Sequence, residues 1–243
     1  VTYAVDPYAN SVSVNGDKGY VLDINEKSTK PIGFTNHPIP ILSEKDDSII
    51  YEMHIRDFTI DESSGVINDL RGTYLGTVEE NTIYKNPYNG KCVKTGIEHL
   101  CELGITHVHL MPIFDFGSVD ERFPGSNNRN WGYDPKNFNV PEGSYCSNPY
   151  NPVTRILELR QMIMKFHERG IRVVMDMVYN HMMSTVNMDN IVPGYYFRSD
   201  YLGRYTNGSG CGNELASERP MVRKFIIDSC LHWIKDYKID GIR

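Results

Sequence analysis

The stretch Ile171–His181 reads IRVVMDMVYNH, and its reading decides the fold. It is near-continuously apolar, as a strand buried on both faces must be, and it closes on an amide and an imidazole. Such a strand belongs in a parallel sheet covered by helices, so helices are expected on either side of it. Upstream, residues 151–170 read NPVTRILELRQMIMKFHERG. Pro152 suits a first turn, Ile156, Leu159, Ile163 and Phe166 form one apolar stripe, and Gly170 supplies a stop. Downstream, residues 218–237 read ERPMVRKFIIDSCLHWIKDY, with Pro220 early and Val222, Phe225, Ile226 and Trp233 predicted to face inward. IDGIR, residues 239–243, then opens another strand.

The same grammar extends toward the N-terminus. ITHVHLMP (105–112) is a strand ended by Pro112. KCVKTGIEHLCELG (91–104) predicts a helix with Val93, Ile97, Leu100 and Cys101 on one face and Gly104 as its stop. SIIYEMHIRDF (48–58) is the first strand. The order β-α-β-α-β-α-β implies a parallel α/β sheet with right-handed crossovers. A dinucleotide-type sheet is disfavoured, because no strand runs into a glycine-rich phosphate loop. A (β/α)8 TIM barrel fits better. Polar residues fall at the C-terminal ends of the strands, where a barrel builds its site: Arg56 and Asp57, His109, Asn180 and His181, and Arg243. The connections leaving the first two strands are long, which in a compact domain marks function. A barrel needs eight strands. The pattern over residues 47–243 supplies strands 1–4, so the first half of a barrel is expected, cut inside strand four and leaving two raw edges.

Residues 1–46 read differently. SVSVNGDKGYVLDI (11–24) alternates valines with small polar residues around an Asn15-Gly16 turn signal, which predicts a hairpin. KPIGFTNHPIPILSEKDD (30–47) is rich in proline and charge and reads as a linker. The region is expected to be the tail of an upstream β domain. The terminus VTYAVDPYAN has neither a basic region nor an apolar core, so no secretory leader is expected and the chain reads as the middle of a longer protein.

Bulk composition narrows the partners. Lys and Arg total 25 against 31 Asp and Glu, a net charge of −6, and such a surface does not attract nucleic acid or anionic membranes. No apolar run approaches the ~18 residues that span a bilayer. Five cysteines without a CxxC pair suggest neither a zinc site nor a disulfide framework. Reduced thiols packed as small hydrophobes are expected, with a lean to a reducing, cytoplasmic compartment. Sixteen tyrosines exceed nine phenylalanines. Many sit in polar loops, where a flat hydroxylated ring suits stacking on sugars or anchoring the loop.

Four stretches stand in order: NWGYDP (130–135), DMVYNH (176–181), GSGCGNELASERPMVRKFIIDS (208–229) and DGIR (240–243). Together they resemble the α-amylase superfamily of glycoside hydrolases, and within it the type I pullulanases. NWGYDP resembles the hallmark of pullulanase-type debranching enzymes, and DMVYNH and DGIR resemble the superfamily's first and second conserved regions. The resemblance covers about residues 48–243. It implies that residues 1–46 end a starch-binding-type β-sandwich. It implies hydrolysis of α-1,6 branch linkages in pullulan, starch or glycogen-type α-glucans with retention, no organic cofactor, and an α-glucan as partner. Retaining glycosidases use a carboxylate nucleophile and a carboxylic acid about 5 Å apart. In the family the nucleophile lies two residues after the arginine of DGIR and the acid on a later strand, so neither is expected in this chain.

The resemblance also assigns supporting roles. Arg243 resembles the arginine that orients the nucleophile, His181 the histidine that donates to the sugar in the cleavage subsite, and Tyr133 the aromatic platform under that sugar. Their structural alternatives are a surface cation, a satisfied core histidine and a loop anchor. Asp176 sits in an apolar run, where an unpaired carboxylate would cost several kcal/mol. It therefore needs a partner, expected to be Arg243, and is read as support for the site. Asp134, before Pro135, is read as a turn former. Asn180 matches a position that binds calcium in some α-amylases, but no carboxylate cluster is evident beside it, so no metal is assigned. The alternatives are an isoamylase or glycogen-debranching relative, and a truncated, non-catalytic α-glucan-binding protein. NWGYDP favours the pullulanase form over the first. An aromatic and an aspartate following Arg243 would separate an enzyme from a binder.

Overall fold

The computed structural model of the protein describes residues 2–123 and 129–243. The strands along the chain are β1 (Ile50–Met53), β2 (Ile83–Lys85), β3 (Cys92–Lys94), β4 (His107–Leu110), β5 (Phe114–Phe116), β6 (Pro135–Pro141), β7 (Arg172–Met175) and β8 (Gly241–Ile242). The helices are α1 (Ile55–Thr59), α2 (Gly96–Glu102), α3 (Pro152–Glu168), α4 (Val186–Ile191) and α5 (Pro220–Tyr237). The main sheet has the order β1-β4-β7-β8, and every pairing in it is parallel. Helices α2, α3 and α5 make the three crossovers. This is the first half of a (β/α)8 barrel. Among the described residues β1 and β8 each pair on one side, so both are edges.

Register builds the functional rim. Met53 lies opposite Leu110, Leu110 opposite Met175, and Met175 opposite Ile242. The residues that follow them, His54, Met111, Asp176 and Arg243, therefore emerge side by side at the C-terminal edge of the sheet. The two backbone bonds Arg243 N–Met175 O (3.1 Å) and Met177 N–Arg243 O (3.2 Å) carry the β7–β8 pairing past the last ladder residues.

Helix α3 follows its sequence pattern. The Asn151 side chain caps it by accepting from Val153 N, Pro152 fills the first turn, and Ile156, Leu159, Ile163 and Phe166 are fully buried. Burying each such side chain contributes about 1.5–3 kcal/mol relative to leaving it exposed. In α5, Val222, Phe225 and Trp233 are buried and Ile226 is partly so. Trp233 Nε1 donates to Phe138 O at 2.9 Å, which ties α5 to β6. No helix among the described residues is long and apolar enough to cross a membrane.

Several expectations are corrected. The helix predicted from residue 91 begins only at Gly96, because Cys92–Lys94 pairs antiparallel with Ile83–Lys85 as the small hairpin β2–β3. Val93 and Cys101 are accordingly exposed, whereas Ile97 and Leu100 are in the core. Strand β7 ends at Met175, and residues 176–181 run on without regular structure but Asp176 N still donates to Leu110 O. The hairpin expected over 11–24 reduces to one bridge, Val12–Gly19, around left-handed Asn15 and Gly16. Its second arm leaves to pack on the barrel, where Ile24 is buried in the main core. The stretch read as a linker is docked: Phe34 is buried, and Arg172 Nε donates to Pro40 O at 2.9 Å. Of the cysteines only Cys146 is buried, so the packed-thiol expectation fails for Cys92, Cys101 and Cys211, which are exposed.

Candidate active site

At the rim, one carboxylate oxygen collects two donors. Asp176 Oδ2 accepts from Arg243 Nη1 at 2.6 Å and from Tyr133 Oη at 2.8 Å. Asp176 is buried, while the Arg243 side chain is 61% exposed, so the guanidinium reaches the carboxylate from solvent. Burial, followed by the hydrogen bond to Asp176, pushes the Tyr133 phenol above its usual range and keeps it neutral. The bond to Asp176 holds the guanidinium protonated. His181 Nε2 lies 2.7 Å from Tyr133 O, and since a carbonyl can only accept, Nε2 carries the proton. Its Nδ1 faces the Asn180 side-chain amide at 3.1 Å. The four sequence-predicted residues Tyr133, Asp176, His181 and Arg243 are thus one bonded group.

The NWGYDP turn explains how Tyr133 reaches that point. Asn130 Oδ1 accepts from Gly132 N, and Asn130 Nδ2 donates to Asp134 Oδ1, both at 2.8 Å. Ser118 Oγ donates to Asp134 Oδ2, so Asp134 is the turn-former expected. Gly132 has φ +87°, and a Cβ there would lie 2.7 Å from Pro112 O, so the turn requires glycine. Trp131 is exposed, with the Arg129 guanidinium over its ring. Arg129, Trp131 and Tyr133 line an open cleft of about 450 Å³. A more enclosed cavity of about 390 Å³ lies beside it, lined by His54, Arg56 and Tyr145, but it does not reach Tyr133, which the open cleft does. We place the site by its chemistry, at the open cleft.

Three features of the site have no signature in the sequence. His54, at the end of β1, donates from Nε2 to Asn130 O at 2.7 Å and accepts at Nδ1 from Asp57 N at 3.1 Å. It is therefore neutral, in agreement with burial lowering its pKa, and it anchors the NWGYDP turn to the sheet. Asn213 pairs with the Met182 backbone as a strand would, Oδ1 to N at 3.0 Å and Nδ2 to O at 2.8 Å, while Leu215 N donates to Asn180 O. The GCGNELAS segment thus fixes the chain on both sides of His181. The third is a buried cluster in which Arg155 bonds Glu121 through both Nη atoms, at 2.9 and 2.7 Å, beside Asp115 and Glu142. These three carboxylates have the spacing of cation ligands, but a guanidinium already holds the position. His54 could have been found only from its place at a strand end, and Asn213 only from its place inside the 208–229 motif.

Residues 90–192 match the family model for the α-amylase catalytic domain. The chain is 46% identical to pullulanase from Bacillus subtilis over 98% of its length, covering 32% of that protein. It is 48% identical to the pullulanase of Paenibacillus barengoltzii solved with maltohexaose and α-cyclodextrin, with a TM-score of 0.92. That likeness covers 99% of this chain and 36% of the other.

The chain belongs to the type I pullulanase family of the α-amylase superfamily.

It spans about a third of the length of these relatives. Isoamylase 3 of rice also matches, at 36% identity over the whole chain and 32% of that protein. The NWGYDP, DMVYNH and DGIR motifs meet at the C-terminal rim of the sheet, and the start of the 208–229 stretch packs beside His181 before running into α5.

Proposed function

We propose that this chain forms one wall of the active site of an enzyme that hydrolyses α-1,6-glucosidic branch linkages in pullulan, starch or glycogen-type α-glucans, with retention. The observation that carries the reading is the double engagement of Asp176 Oδ2 by Tyr133 and Arg243 at the rim. Tyr133 is the platform under the sugar, its ring orientation fixed through its hydroxyl. Arg243 is the cation that orients the nucleophile carried by the strand it begins, and Asp176 holds that cation in place. His181 meets the same sugar. Its Nε2 proton is engaged by Tyr133 O, so a sugar hydroxyl reaches it by sharing that bond. Relatives named pullulanase and a solved relative holding maltohexaose support an α-glucan as the substrate. Residues 1–46 are proposed to end an upstream β-sandwich, with the barrel running from residue 47.

Tyr133 tests the reading. In the longer reading frame containing the remaining strands, Tyr133→Ala is expected to lower kcat/KM on branched glucan by roughly 10- to 100-fold without unfolding the protein. Tyr133→Phe keeps the ring and should lose less. Steady-state kinetics on pullulan check both, and unchanged kinetics in the alanine variant would remove Tyr133 from the site.

A further inference from the structure

Asp240, three positions before Arg243, ends a hydrogen-bonded run of titratable side chains. His37 Nδ1 lies 2.7 Å from Phe34 O, and His37 Nε2 lies 2.8 Å from His167 Nδ1. His167 Nε2 lies 2.8 Å from Asp240 Oδ2, which also accepts from Val173 N at 2.8 Å. The side chains of His167 and Asp240 are 0% and 5% exposed. The run joins the docked 30–47 segment, α3, β7 and the approach to β8.

The donors can be counted. Phe34 O only accepts, so His37 Nδ1 carries a hydrogen. Burial lowers the pKa of His37 and keeps it neutral, although its bond to Phe34 O opposes this. A neutral ring protonated at Nδ1 presents a lone pair at Nε2. His167 Nδ1 must therefore donate to it. His167 Nε2 must donate as well, because it faces a carboxylate. Both nitrogens of His167 then carry hydrogens. Moving the shared proton to His37 leaves the total unchanged: three hydrogens on four nitrogens, one positive charge. Lys238 opposes that charge and Glu168 favours it at the His37 end. At the other end Asp240 also faces His107, whose pKa burial lowers and which Arg172 further opposes charging.

The anchor matters because β8 cannot fix its own register. Its ladder consists of Gly241 opposite Val174 and Ile242 opposite Met175. A glycine and one isoleucine specify a register weakly. Asp240 adds a specific mark, with its carboxylate on Val173 N and its own N–H on Val173 O at 2.9 Å.

We propose that His167 is an imidazolium clamped between His37 and Asp240, and that it is the positioning residue that sets β8 in register and so places Arg243 against Asp176. The consequence for catalysis rests on the role given to Arg243 above. The protonation state and the register do not.

Two-bond 1H–15N spectra of the histidine rings of this chain test it. At about pH 7.5, where free imidazole is neutral, His167 is expected to show both nitrogens protonated. Asp240→Asn should leave His167 singly protonated under the same conditions, because the carboxylate that accepts from Nε2 is gone, and should shift the Arg243 Nε–H resonance. His37→Phe, at a half-buried site, should remove the Nδ1 hydrogen of His167 by removing its acceptor. A singly protonated His167 at that pH in the unmodified chain would overturn the proposal. So would an Arg243 resonance unmoved in folded Asp240→Asn. If these signatures hold while the longer reading frame releases no sugar from pullulan, the clamp stands and the proposed activity falls.

Discussion

Arg155→Ala is expected to destabilise the chain by about 3–5 kcal/mol, the cost of stranding a buried ion pair's partners. The Arg155 side chain is 0% exposed and bonds Glu121 through both Nη atoms and Pro141 O through Nη1. Three buried carboxylates share this single cation. Burial and then the charge of Glu121 push Asp115 up to about 7, and the same two causes raise Glu142. An acid that is protonated when folded but ionised when unfolded stabilises the fold at low pH. That contribution diminishes between the ordinary value of 3.8 and about 7. The unmodified chain should therefore lose urea stability from mildly acidic pH toward neutrality on this account, against the usual trend for paired carboxylates. Asp115→Asn should flatten the slope, and Arg155→Ala should be worse tolerated at high pH than at low pH. A urea midpoint for Arg155→Ala within about 1 kcal/mol of the unmodified chain would contradict this account of the cluster.

The second large effect is on activity. Asp176→Asn in the longer reading frame is expected to lower kcat/KM on pullulan by roughly 100- to 1000-fold, because two bonds to one carboxylate oxygen are lost together. An amide turned with its NH2 toward Arg243 and Tyr133 meets two donors, and turned the other way it offers no charge. Stability should change less than activity, because the guanidinium it releases is already open to solvent. The check is to compare kcat and KM with the thermal midpoint. A variant that loses stability but keeps its kcat/KM would make Asp176 a folding residue alone.

The two predictions differ in how far the sequence anticipates them. The apolar run 171–175, the stripe of α3 and the polar strand ends specify the sheet and its rim, because burial and period are local signals. Asp176 and its partner follow from the same logic, since a carboxylate inside an apolar run must be paired. Arg155 does not announce itself. It lies 34 and 40 positions from Glu121 and Asp115, and only the packing of β5 and of the segment carrying Glu121 against α3 brings them together. Val93 falls in the β2–β3 hairpin and outside the helix, because Gly96, at φ +56°, starts the helix later than the apolar spacing suggests. The 30–47 stretch has the composition of a linker, yet Phe34 and His37 find partners on α3 that no local pattern encodes.

The most direct measurement of the central claim is the anomeric form of the sugar released from pullulan, followed by 1H NMR from the first turnovers. The longer reading frame containing these residues is predicted to release reducing ends first as the α-anomer, and residues 1–243 alone to release none. Initial release of the β-anomer, cleavage of α-1,4 bonds in place of α-1,6, or turnover by residues 1–243 alone would contradict the account.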